Sequence, residues 1–290
     1  MGILLITAGL LPVVLYLAAW RLGVSATGPV DPSLEPVKAG GRLSSVMSTL
    51  SLVLLAALLA HIYALYLGFD AHDGVHIGFA HVLSAALWVG IGLLWLDGDH
   101  PHSSAMRALV LPIAAVLAPL PLLFPGALIG DISTRPLFLP HLIVGVLAYA
   151  VLLLAVVHAL LMALAERALH GDIGGGRAGL LAGALERLPP LLGMERLLFR
   201  LLSVGFVLLT LTAVSGLFFA EEIFGRSLRL DHKTIFTLLA WCVFGILLLG
   251  RRFWGWRGRT ALRLTIIGFV VVLLGYAGSR FVLEVILGRI

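Results

Sequence analysis

Eight long windows almost free of charged residues limit what this chain can fold into: Gly2 to Trp20, Leu43 to Phe69, Val75 to Leu96, Ala108 to Gly130, Pro136 to Ala165, Leu201 to Ala220, Thr234 to Gly250, and Leu264 to Gly288. A helix rising 1.5 Å per residue needs roughly 20 apolar residues to cross about 30 Å of hydrocarbon, and each window meets or approaches that length. Barrel strands would show short alternating segments instead. The fold class expected is therefore all-α, a polytopic integral membrane protein with eight transmembrane helices. Composition agrees: 12% of residues are charged, against about a quarter in soluble proteins. The first window has no basic residue ahead of it and Arg21 just after it, the reverse of a secretory signal, so it reads as a retained helix.

Net charge is +5, but its distribution along the chain explains it. The odd-numbered loops hold 14 Lys and Arg, including Arg107 and the run from Arg251 to Arg263, and the other side holds 6. The positive-inside rule then makes the odd loops cytoplasmic and puts both termini outside. No nucleic-acid partner is expected. Residues 1–42 read as the first span and a cytoplasmic linker extended by Pro29, Pro32 and Pro36, with residues 43–290 as the main transmembrane domain. In the fifth loop, Gly171 to Gly176 is a break and Arg177 to Leu188 a connector along the membrane surface; no GK[ST] follows the glycines, so no phosphate loop is present. The single cysteine, Cys242, excludes disulfide and thiolate-cluster chemistry.

Ionisable groups inside a bilayer mark function by default. The first seven spans have no mid-span Asp, Glu, Lys or Arg, which argues against an ion-driven carrier, and Glu284 is expected to snorkel to the outer interface. Histidine remains. By helix rise, His61, His76, His81, His141 and His232 all fall in the outer third of the membrane or at its edge, with His72 in the adjoining loop; only His158 belongs to the inner half. Structural imidazoles explain any one of these. Several at one depth point to metal. Zinc would be expected to bring a carboxylate or an HExxH motif, and neither is present. Haem b fits better, because Gly145 and Tyr149 follow His141 on its helix face and the glycine leaves room for a flat macrocycle. His141 and His158 are about 25 Å apart along the axis and roughly 100° apart around it, so a single outer haem is expected, not a transmembrane pair.

Three segments carry a family resemblance. Pro140 to Leu161, with its leading histidine and the small-aromatic-small run Ala148, Tyr149, Ala150, resembles the haem-liganding helix of the cytochrome c assembly family. Met194 to Gly225 is similar to the helix before that family's external loop, and Asp231 to Leu264 to the DPKE-type helix after it. The order matches over about residues 60 to 285, most of all in the small inner-membrane, YpjD- and HemX-like subgroup. The tryptophan-rich segment of the haem-exporting members is absent: Phe218 to Lys233 contains no tryptophan, and Gly278, Ser279 and Arg280 stand where a second external histidine is expected.

The resemblance implies a haem-binding protein of the bacterial inner membrane, for cytochrome c assembly or related haem handling and transport. Its partners would be haem, the lipid bilayer and other cytochrome assembly proteins; no catalytic residue is assigned. His141 is the expected first axial ligand and His61 the preferred second, followed by His232 and His81. The propionates would meet Arg135, Arg226, Arg229 and Lys233, the basic residues of the outer loops joining the spans. The alternative is a non-catalytic scaffold or small-molecule transporter whose histidines only bond across helices.

Overall fold

The computed structural model describes residues 2–26, 36–69, 76–129, 136–169, 188–224 and 232–288. It is helical apart from one short strand pair. In chain order the elements are α1 (Gly2–Ala26), α2 (Pro36–Phe69), β1 (His76–Ile77), α3 (Phe79–Leu96), α4 (Pro101–Leu117), the single turn α5 (Leu120–Leu123), β2 (Ala127–Leu128), α6 (Phe138–Leu169), α7 (Leu191–Phe224), α8 (His232–Trp254) and α9 (Gly258–Leu273). The last helix runs on through a π-helical turn at Leu274–Gly278, the short α10 (Ser279–Phe281) and a second π-helical turn at Val282–Ile286. Eight helices are long and apolar enough to cross a membrane, as the charge-free windows anticipate.

Two groups of helices share one continuous core. In the first, α1 packs on α2 and α4; in the second, α6 packs on α7, and α9 on α8 and α6, while α3 lies between the groups against α2, α4 and α6. Tyr16, Leu54, Ile91, Leu111, Leu152, Leu198 and Phe244 are buried in that core. Large apolar side chains such as Leu52, Leu59, Val116 and Ile246 face outward, where a bilayer is their natural solvent. Small residues let helices approach closely: Gly205 of α7 sits where a β-carbon would strike the Leu152 side chain of α6.

β1 and β2 pair antiparallel, His76 with Leu128 and Ile77 with Ala127, next to the start of α3. Here the chain passes itself at two glycines. Gly126 has φ +77°, and a β-carbon on it would collide with the Gly78 backbone. This strand pair marks one end of the bundle, called here the β end.

At the opposite end the helix boundaries depart from the sequence reading. The fourth helix begins at Pro101, with His100 extended ahead of it and proline in its first turn, so Arg107 is a helical residue and not a loop charge. It is 5% exposed, and its guanidinium folds back to donate to the Gly98 carbonyl and, at 3.1 Å, to the Asp99 carboxylate. Its charge is met by the loop it folds onto. Pro36 likewise opens α2 instead of extending a linker. Pro29 and Pro32, the fifth-loop segment Gly171 to Gly176 and most of the connector after it lie outside the described residues.

Candidate functional site

Of the five histidines expected to share the outer third of the membrane, the four candidate ligands occupy four different environments at the β end. His61 of α2 is fully buried, with its Nδ1 2.8 Å from the Tyr16 hydroxyl of α1 and its Nε2 2.7 Å from the Ser84 hydroxyl of α3. Tyr16 also meets the ring edge-on, at 5.6 Å between centroids. Both ring nitrogens are committed, so His61 ties three helices together. It could bind iron only by releasing one of those bonds.

His81, in the first turn of α3, is also buried. Its Nδ1 faces the Gly78 amide at 3.4 Å, its ring lies against Phe69, and Nε2 packs beside Gly68 at the end of α2, without a hydrogen bond of ordinary geometry among the described residues. It plugs the end of α2. His158, toward the opposite end, bonds the Met194 carbonyl of α7 through Nε2 at 2.8 Å.

His141 differs from these. It lies in the first turn of α6, half-buried, with Nδ1 2.9 Å from the Ser215 hydroxyl of α7, and Gly216 gives its ring room. Ser215 in turn donates to the Thr212 carbonyl at 3.2 Å. With that proton on Thr212, the Ser215 oxygen can accept from a His141 Nδ1–H. Metal-binding histidines are commonly oriented this way, by a hydrogen bond on the other nitrogen. Gly145 does not leave the expected gap for a macrocycle. A β-carbon there would sit 3.7 Å from the Thr212 methyl, so this glycine serves the α6–α7 contact.

His232, exposed, is the first residue of α8. The Trp241 indole donates to Thr210 at 2.9 Å, and Gly245 meets the Phe206 ring, which fixes the antiparallel register of α7 and α8. By that register His232 lies about 6 Å beyond the level of Ser215, roughly one helical turn. His141 and His232 therefore flank the same stretch of α7. Arg135, Arg226 and Arg229 lie outside the described residues. Among the described residues, no three His, Cys, Asp or Glu side chains converge to hold a metal ion. One or two imidazoles suit a haem iron and fall short of a zinc cage.

Two features escaped the sequence reading. Tyr149 donates its hydroxyl to the Val272 carbonyl at 2.6 Å, just before the first π-helical turn, and so joins α6 to the last helix where its hydrogen-bond ladder changes register. Glu284 does not snorkel. Its side chain is 4% exposed, turned in against Gly78 and 3.9 Å from Arg280. The available signal was the presence of two charges within the last span, which marks a buried pair as readily as an interfacial one.

Residues 45–287 match the family model described as cytochrome C assembly protein, and the chain belongs to that family. Among curated proteins it is similar to the inner membrane protein YpjD of Escherichia coli (strain K12), with 27% identity over 278 residues that span 95% of this chain and all of the relative. An uncharacterized 28.8 kDa protein of Azospirillum brasilense is 36% identical over 51% of this chain and 52% of its own length. The cytochrome c biogenesis protein CcsA of Gloeobacter violaceus is 33% identical over 91 residues, 31% of this chain and 27% of that protein. No solved structure matches. Eight apolar helices and full-length similarity to an inner membrane protein make this chain a multi-pass protein of the bacterial inner membrane.

Proposed function

We propose that this protein handles haem for cytochrome c assembly, binding one haem b at the β end with His141 as an axial ligand and His232 as the second. The observation that carries the reading is the Thr212–Ser215–His141 chain, which orients the ring through Nδ1 in the manner of a metal-binding histidine. Family membership supplies the process. His232 is preferred to His61 because it is exposed, lies within about one helical turn of the level of His141 along α7, and, among the described residues, does not tie helices together through its ring nitrogens in the way His61 does. The bound haem would supply a redox-active iron. The chain's own part is to hold and orient the ring nitrogen and to keep the macrocycle at the membrane edge.

The test is haem content after purification from cells supplied with haem precursor. His141→Ala should lose at least about tenfold of its haem, and His232→Ala should turn six-coordinate low-spin iron into five-coordinate, because one imidazole remains. Wild-type haem content and spin state in both variants would end the assignment. The positive-inside rule supports an outward-facing β end with both termini outside. Reporter fusions after Phe69 and Pro125 should then read outside, and those after Asp99 and Gly255 inside; an inverted central loop would reverse the haem's side.

A further inference from the structure

Tyr276, Arg280 and Glu284 are spaced four residues apart through the two π-helical turns and the α-turn between them. In an α-helix residues eight apart drift around the axis, whereas the wider π turns keep this trio on one side. Such turns often occur at functional sites. Glu284 anchors the row: its Oε2 would be 2.6 Å from a β-carbon on Gly78, and the carboxylate lies beside the Phe79 amide at the start of α3. Arg280 is held from both sides, by the Tyr276 hydroxyl and by Glu284. The Glu284 contact, at 3.9 Å, is beyond hydrogen-bonding distance. The Arg280 Nε is buried and has no hydrogen-bond partner among the described residues.

From α8, Lys233 reaches over the Tyr276 ring at 5.5 Å and interacts with Glu284 as well. Gly275 packs on Phe236 and on the Lys233 carbonyl, which sets this cluster level with the first turns of α8, the same turns that carry His232. A guanidinium is a fork of donors matched to a carboxylate, and a buried donor left open is costly unless a ligand or water completes it. On the haem-binding reading above, we propose that Arg280, with Lys233 beside it, receives a propionate carboxylate of the haem whose iron is bound at His141. The last helix thus supplies the cationic end of the site.

The test titrates the purified full-length protein with haemin and with haemin dimethyl ester, the same macrocycle with its propionates neutralised. Wild type should bind haemin roughly tenfold more tightly than the ester. Arg280→Gln should bring haemin to the ester's affinity, leave ester binding and spin state unchanged, and Arg280→Lys should recover part of the difference. Equal affinity of wild type for haemin and ester overturns the proposal without needing any variant, as does Arg280→Gln weakening both ligands alike or neither. If haemin binds through His141 but is not distinguished from the ester, only this inference fails. If wild type binds neither macrocycle, the haem reading fails with it.

Discussion

His61 and His141 are both intramembrane histidines near the same end of the bundle, and they differ in what holds their nitrogens. His61 sits in a closed chain from Tyr16 through the ring to Ser84, across α1, α2 and α3. His141 rests its Nδ1 on the Ser215 hydroxyl, which in turn donates to the Thr212 carbonyl of the same helix. The first arrangement uses an imidazole as a double-ended fastener. The second orients a donor. Depth in the membrane therefore does not separate the two rings, whereas the groups that hold them do.

The comparison is tested most strongly by removing each ring. His61→Ala leaves a cavity and two buried hydroxyls without their partner, and should destabilise the protein by roughly 2–4 kcal/mol while haem per folded molecule stays near wild type. His141→Ala should lose haem but cost less than about 1 kcal/mol in the apoprotein, since Ser215 keeps its bond to Thr212. Thermal unfolding in detergent together with haem content separates the two. A stable His61→Ala protein without haem would exchange the roles assigned here.

A smaller effect sharpens the fastener half. Tyr16→Phe and Ser84→Ala each remove one hydroxyl from the ring and should each cost about 1 kcal/mol, in line with hydrogen bonds measured between membrane helices. Both act through the same imidazole, so the double variant should deviate from the sum of the singles. Strict additivity in the unfolding midpoints would show that His61 does not couple α1 to α3.

The spans were legible because hydrophobic length is a local property: all eight windows overlap a membrane-length helix. What failed depended on contacts distant in sequence. Tyr16 is 45 positions from His61 and Ser84 is 23 away, so no spacing rule reveals the closed chain. Gly145, expected to leave room for a macrocycle, faces the Thr212 methyl of α7, a contact between residues 67 positions apart. Arg107 broke the fourth window because its charge was counted without the loop that neutralises it. Glu284 was misplaced for the same reason, since Arg280 and Gly78 make an inward position tolerable. The π-helical turns left no trace in the hydrophobic pattern.

The weakest expected effect lies at the other end of the first helix group, where Asp97 is gathered by its neighbours between α3 and α4. Partial burial pushes its carboxyl up, but the Ser103 hydroxyl and the His102 and His100 rings outweigh that and hold it below the usual carboxylate range. His102 Nε2 lies 2.9 Å from the carboxylate, and Ser103 donates to it. A folded-state value below the unfolded one means that the stabilisation is complete above the ordinary carboxylate range and is lost as pH falls through the folded value. Because the Asp97 side chain is 44% exposed, solvent screening limits the contribution to less than about 1 kcal/mol. Asp97→Asn should therefore lower the unfolding midpoint slightly at neutral pH, and the gap from wild type should close as acidification takes the folded-state carboxyl through its lowered value. Haem content should not change, since this lock is at the end of the bundle away from His141. A gap that widens in acid would mean that Asp97 is not held as a carboxylate by these partners, and a loss of haem would mean that the two ends of the bundle are coupled more tightly than their separate hydrogen-bond networks imply.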